Sequence, residues 1–210
     1  MTTKIWGRNN SINVQKVMWA VGELGLAHER IDVGGAFGRN KEPAYLAMNP
    51  NGLVPTLEED DGFTLWESNT VVRYLAAKHD KSGVLEPKDA KQRALASQWM
   101  DWQLTVAGPA IFGMFWGLIR TPPEKRDMAA IDASRQKTTD AVKMLDAQLG
   151  KTAFLAGPSF SYGDIPAGLI ANRYRLLVSD RPAMPNVDRW FAAIAARKPF
   201  QDHAASIPLT

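Results

Sequence analysis

Three short stretches of this chain carry residue types that could hold and activate a small charged ligand. The first is Gly7-Arg8-Asn9-Asn10-Ser11-Ile12-Asn13. Ser11 or Asn13 can cap the helix that follows. A helix N-terminus also favours an anion, and a thiolate placed there would gain a hydroxyl or amide donor. The second is Asn49-Pro50-Asn51-Gly52-Leu53-Val54-Pro55-Thr56-Leu57. A proline opening a strand removes a ladder donor, so Pro55 marks either an edge strand or a cis Val54–Pro55 bond. The cis form turns the Val54 N–H and C=O outward, where an extended peptide ligand can pair with them. The third is Glu67-Ser68. Ser68 is either a plain N-cap or, together with free helix N–H groups, an acceptor site for a carboxylate, with Glu67 placed to pair with an ammonium. An α-amino acid head group carries both charges.

Other chemistries are excluded by what the chain lacks. It has no cysteine, so no thiol nucleophile, redox pair, thiolate metal site or disulfide. His28, His79 and His203 are far apart and form no metal-ligand motif, so no metal is expected. No Walker loop, dinucleotide glycine pattern, zinc-protease motif or nucleophile elbow is present. The net charge is only +3, from 25 basic and 22 acidic residues interleaved along the chain, which gives no nucleic-acid footprint. The uncharged run from Val106 to Ile119 is too short to span a bilayer, and the polar N-terminus lacks the apolar core of a signal peptide. Cytoplasmic location follows, and the Asn9-Asn10-Ser11 triplet would then go unglycosylated.

Elements that could position the three stretches are visible in the apolar spacing. Lys4-Ile5-Trp6 reads as a strand. Val14, Val17, Met18, Val21 and Leu24 form a helical stripe that Gly25 ends. His28–Val33 reads as a second strand, Pro43–Met48 as a short helix, and Val54–Leu57 with Phe63–Trp66 as a hairpin around Asp61-Gly62. Ser68 then caps a helix carrying Val71, Val72, Leu75 and Ala76. The crossover makes the first two strands parallel, and the hairpin adds an antiparallel pair. Residues 80–89 read as a linker. Beyond them the pattern is helical throughout, including the stripe from Met128 to Leu149 and the set Val187, Trp190, Phe191 and Ile194. On the first long helix of this part, the spacing of three puts Trp99 with Trp102, and Phe112 with Phe115, on one face each.

From Ile5 to about His79 this text resembles the thioredoxin-like domain of soluble glutathione transferases. The likeness rests on strand, helix, strand, the Asn49–Leu57 stretch with its Val-Pro pair, and Asp61-Gly62-Phe63-Thr64-Leu65-Trp66-Glu67-Ser68. It extends into the helical part through Ser161-Tyr162-Gly163-Asp164, a Ser-x-x-Asp capping box that the family carries as a folding element. The resemblance implies an α/β thioredoxin-like domain over residues 1–79, a linker over 80–89 and an all-helical domain over 90–210. It implies that Val54, before Pro55, binds the cysteinyl backbone of glutathione, and that Glu67 and Ser68 bind its γ-glutamyl head.

The turn itself differs from several branches of the family. Members with a Tyr near the first strand use its hydroxyl, and members with a Cys reduce mixed disulfides; this chain has neither. Ser11 to Val17 resembles the Ser-type turn of delta- and theta-like classes, and Asn13 to Val17 also resembles the Asn-Gly-Gln-Lys-Val text of fungal and bacterial members. Ser11 and Asn13 are both candidates for stabilising the thiolate. The Arg that often follows Glu-Ser is Asn69 here. The histidines near the glycine end of the insect classes are replaced by Asn40 and Gly52, which leaves Arg39, Asn40 or Lys41 for the glycine carboxylate.

The expected activity is conjugation of the glutathione thiolate to a small apolar electrophile, in a homodimer, with glutathione as co-substrate and no other cofactor. Trp102, Phe112, Phe115, Trp116 and Arg120 are the expected co-substrate residues. Two alternatives stand beside it: a Cys-free glutathione-dependent disulfide reductase or peroxidase, and a non-enzymatic glutathione-binding interaction protein.

Overall fold

The computed structural model describes residues 3–210. They divide into a first unit that runs to Glu86 and takes in Pro199–Ile207, and a second of Pro87–Lys198 with Pro208–Thr210.

The first unit follows the order β1 (Thr3–Trp6), α1 (Ile12–Glu23), β2 (His28–Ile31), α2 (Pro43–Met48), β3 (Thr56–Glu58), β4 (Thr64–Trp66) and α3 (Ser68–His79). The sheet order is β2-β1-β3-β4. β1 and β2 are parallel, with Ile5 opposite Arg30, and β1–β3 and β3–β4 are antiparallel, with Leu57 opposite both Ile5 and Leu65. Ile5 and Leu57, with Val14, Val17 and Val21 of α1 and Val71, Val72 and Leu75 of α3, are wholly buried and form the core. Each such side chain contributes roughly 1.5–3 kcal/mol by leaving water. Phe200 from the C-terminal segment closes on Trp19 of α1, with ring centroids 4.9 Å apart.

Several boundaries depart from the sequence reading: β1 begins at Thr3 rather than Lys4 and β4 at Thr64 rather than Phe63, and three more bear on the site. β2 ends at Ile31 rather than Val33, because Val33 turns its carbonyl to the Arg8 N–H. β3 begins at Thr56 rather than Val54, because Pro55 has no N–H to give to the ladder; the Val54–Pro55 bond is cis. The residue at the N-cap of α3 is Glu67, and Ser68 is the first helical residue.

Residues 80–89 are more ordered than their composition implies. The Asp80 carboxylate gathers the backbone N–H groups of Ser82, Gly83, Val84, Leu85 and Glu86, and the Ser82 hydroxyl, at 2.6–3.2 Å. Burial works against its charge, but the N–H groups of Glu86, Leu85 and Gly83 and the Ser82 hydroxyl outweigh it and hold the carboxyl down at about 2.

The second unit is helical: α4 (Ala90–Trp102), α5 (Gly108–Phe115), α6 (Met128–Leu149), α7 (Asp164–Leu177) and α8 (Pro185–Ala195). α4 and α5 belong to one stretch, Ala90–Arg120, long and apolar enough by length and composition to cross a membrane. A core helix of a helical domain meets the same criterion, and Met100, Ala107, Ile111 and Met114 of this one are buried. π-helical turns at Gln103–Ala107 and Trp116–Arg120 flank α5. The first lies just before Pro109, whose ring cannot fit a regular helix interior. α5 packs on α6, where the buried Ser134 hydroxyl donates to the Ala110 carbonyl at 2.6 Å and accepts from the Met114 N–H at 2.7 Å.

Candidate active site

The thiol turn is built between β1 and α1. A Cβ on Gly7 would meet Val14 at 2.4 Å and Val54 at 3.2 Å, so only glycine lets the turn approach the segment before the cis proline. Arg30 of β2 donates to the Gly7 carbonyl at 2.9 Å and pairs with Asp32, which fixes the turn from behind. α1 starts at Ile12. Ser11 therefore takes the cap position, extended at φ −81° and ψ 124°, yet its side chain makes no cap hydrogen bond. Asn13 lies inside the first turn and cannot be the cap, as it would be in a helix beginning at Val14. Its Oδ1 instead accepts from the Ser68 hydroxyl at 3.4 Å.

The loop that presents Val54 is held by uncharged groups. The Asn49 amide donates to the Leu53 carbonyl at 2.9 Å and to Thr56 Oγ1 at 3.1 Å. The Tyr45 hydroxyl reaches the Leu53 carbonyl at 2.6 Å and Thr56 Oγ1 at 2.9 Å. Burial raises the Tyr45 phenol, against the opposing pull of its Thr56 and Asn49 contacts, so it stays a donor. Asn40 donates to the Gly52 carbonyl at 2.8 Å, and Lys41 Nζ lies 3.4 Å from the Asn51 carbonyl. Gly52 sits at φ +60°, and a Cβ there would come within 2.7 Å of Lys41 Nζ. Arg39 also has positive φ, at 66°, and lays its guanidinium over Trp6 at 5.8 Å.

At the start of α3, Glu67 holds φ +71° and ψ 103° and makes no side-chain cap bond. Such a backbone costs on the order of 1–3 kcal/mol for a residue with a side chain. It leaves Glu67 exposed while Ser68 is buried beside it. Lys16 of α1, wholly buried, brings Nζ within 3.5 Å of Ser68 Oγ.

In the second unit the five expected co-substrate residues separate. Phe112 and Trp116 are exposed and stacked, centroids 5.6 Å apart. Phe115 is buried, with Arg173 over its ring at 4.3 Å and Arg120 at 5.9 Å. The expected pairing of Phe112 with Phe115 is thus replaced by one with Trp116, because four residues come nearer to a whole helical turn than three. Trp99 and Trp102 do meet, edge to face at 5.1 Å. The Trp102 indole N–H is buried with no hydrogen-bond partner among the described residues.

The glutathione S-transferase N-terminal domain family matches residues 10–78, and the glutathione S-transferase C-terminal domain family matches residues 100–198. The chain belongs to the glutathione S-transferase family. Among relatives of this transferase, glutathione S-transferase GstB of Escherichia coli strain K12 is 44% identical over 195 residues, 92% of this chain and 93% of the relative. Glutathione S-transferase 3 of Zea mays is 31% identical over 216 residues, covering 98% and 95%. A crystal structure of the theta class glutathione S-transferase from Xanthomonas axonopodis pv. citri, with glutathione bound, is similar at a TM-score of 0.94 and 40% identity. The alignment covers 100% of the transferase described here and 99% of that chain.

The sequence reading missed Tyr45, Asn49, Thr56 and Arg30, which orient the site rather than form it. It also missed Lys16. No sequence signal marks it, since the burial of Val14 to Val21 on all sides of α1 appears only in the packed fold.

Proposed function

We propose that this transferase joins the thiolate of glutathione to an electrophilic carbon of a small apolar compound. Ser11 carries the reading: it stands at the head of α1 with its hydroxyl uncommitted to the cap, able to donate to a sulfur anion there. A free thiol has a pKa near 8.5, and lowering it by about two units requires roughly 2.7 kcal/mol of preference for the anion. One hydrogen bond to a charged group supplies on the order of 1.5–3 kcal/mol and a helix terminus up to about 1. Ser11 and α1 suffice together, without cysteine, metal or histidine, and the thiolate then attacks carbon.

In this reading the Val54 backbone, released from the ladder at Pro55, pairs with the cysteinyl unit. Glu67 takes the γ-glutamyl ammonium and Ser68 the carboxylate. Asn40 is committed to Gly52, so Lys41 is the stronger partner for the glycine carboxylate. Phe112 and Trp116 offer a stacked apolar surface for the co-substrate, with Trp102 as a donor and Arg120, over Phe115, for a polar group. The enzyme works in detoxification as a soluble cytoplasmic homodimer, two-fold closure being the commonest assembly. Light scattering that gives a 23.2 kDa species at micromolar concentration rejects the dimer.

The test of the activity is a panel of glutathione with aryl halides, epoxides, hydroperoxides and disulfides. Turnover of aryl halides or epoxides is expected. Turnover confined to disulfides or hydroperoxides reassigns the enzyme to reductase or peroxidase chemistry, and a melting curve unmoved by millimolar glutathione removes the ligand itself.

A further inference from the structure

Lys16 is a cation where the fold has every reason to place an apolar residue. It lies on α1 between Gln15 and Val17, its relative exposure is 0%, and it is among the largest wholly buried side chains. Its Nζ comes within 3.5 Å of Ser68 Oγ, and that hydroxyl in turn donates to Asn13 Oδ1 at 3.4 Å. One polar chain therefore runs Lys16, Ser68, Asn13 across the buried seam between α1 and α3. Glu67, next to Ser68 in the chain, is exposed and holds a positive-φ backbone. A carboxylate at residue 67, a hydroxyl at 68 and the Lys16 ammonium 3.5 Å from that hydroxyl are the group types that complement an ammonium and a carboxylate on one carbon. Asn69, next in sequence, is neutral and brings no charge of its own.

We infer that Lys16 is the positive charge that holds the α-carboxylate of the γ-glutamyl group at Ser68, and so sets the preference of this transferase for a zwitterionic head group. The inference rests on the glutathione reading above. When the Ser68 hydroxyl turns its proton from Asn13 Oδ1 to a carboxylate, that carboxylate stands within the range at which an opposite charge favours its ionised form. Burial strengthens the attraction, since little water screens it. Lys16 is a binding and positioning residue; the thiolate is served by the turn at Ser11.

Three thiol ligands separate the possibilities by calorimetry: glutathione, 4-aminobutanoyl-Cys-Gly, which lacks only the α-carboxylate, and glutaryl-Cys-Gly, which lacks only the α-ammonium. Lys16→Met keeps the unbranched shape of the side chain, one atom shorter, and removes the charge, a change that buried sites often tolerate. It should raise the dissociation constants of glutathione and of glutaryl-Cys-Gly about 10- to 100-fold and leave that of 4-aminobutanoyl-Cys-Gly within about twofold. Lys16→Arg should restore most of the loss. A uniform weakening of all three ligands, or none, overturns the inference and makes Lys16 a packing residue. If Lys16→Met does not fold, Lys16→Gln takes its place under the same criterion. Wild-type protein that is folded yet binds none of the three overturns the glutathione reading as well, and the two failures are thereby told apart.

Discussion

The helices of the two units begin in opposite ways. In the second unit the starts of α4, α6 and α8 are met by aspartates. Asp89 accepts from the Lys91 and Gln92 N–H groups at the head of α4, and Asp127 from that of Ala130 at the head of α6. Asp146 reaches from α6 to the Asn186 and Val187 N–H groups that open α8. Asp164 opens α7 and accepts from groups outside that helix, the N–H groups of Leu155 and Ser161 and the Trp190 indole, so it joins three segments rather than capping. In the first unit α1 and α3 begin with Ser11 and Glu67, and neither side chain makes a cap bond. Every helix start leaves unpaired N–H groups, and those groups are met either by the chain or by something else. Where the chain meets them the start is a structural joint. Where it does not, the start keeps its affinity for an anion.

The largest expected effect attacks the second unit. Asp164→Ala leaves the Leu155, Ser161 and Trp190 donors buried without their acceptor, and should cost about 3–5 kcal/mol in denaturant unfolding. A loss below about 1 kcal/mol would remove Asp164 from the comparison. The pH dependence is next. Burial raises the Asp164 carboxyl to about 6, against the lowering by its Leu155, Ser161 and Trp190 bonds. The native state thus holds a proton that the unfolded chain releases near 4, and stability should fall by about 3 kcal/mol in all as pH rises from below 4 through 6 to about 7. Asp80, held at about 2, runs the other way: its contribution is present above pH 4 and lost as pH falls toward 2. Melting curves from pH 2 to 7 should show a maximum near pH 4, and Asp164→Asn should flatten the upper limb.

The first unit should respond in binding rather than in stability. Glu67→Ala is expected to raise the glutathione dissociation constant about tenfold or more while shifting unfolding by less than about 1 kcal/mol. An unaltered constant in calorimetry would make Glu67 structural. Smallest are the effects at the thiol turn. Ser11→Ala should raise the bound thiol pKa by about one unit, read from thiolate absorbance, with stability within about 0.5 kcal/mol because no cap bond is lost. Asn13→Ala should leave that titration nearly in place. The opposite pattern gives the sulfur to Asn13.

Much of this was legible from residues alone. The Met128–Leu149 stripe matches α6, because a long amphipathic period leaves little freedom in its ends. The strands were less legible, since three- and four-residue strands are bounded by tertiary contacts, as at Val33, rather than by pattern. The identity of each cap was harder still. Ser68 and Asn13 both have good capping side chains, and a shift of one or two residues in the helix start decides whether they cap or turn toward one another. Lys16 was hidden because a lysine on a helix reads as solvated, and only the packing of α3 against α1 buries it.

The knot at Asp80 bears on where the chain can be cut. Trypsin needs a flexible, extended stretch of several residues, and composition offers it both Lys81 and Lys88. Lys81 lies within the loop whose next five N–H groups bind the Asp80 carboxylate, whereas Lys88 follows Pro87, past the last of them. Limited digestion at neutral pH should nick first after Lys88, and Asp80→Ala, which removes the acceptor of those N–H groups, should open the second site, giving two N-terminal fragments of nearly the same length whose ratio reports on a single carboxylate.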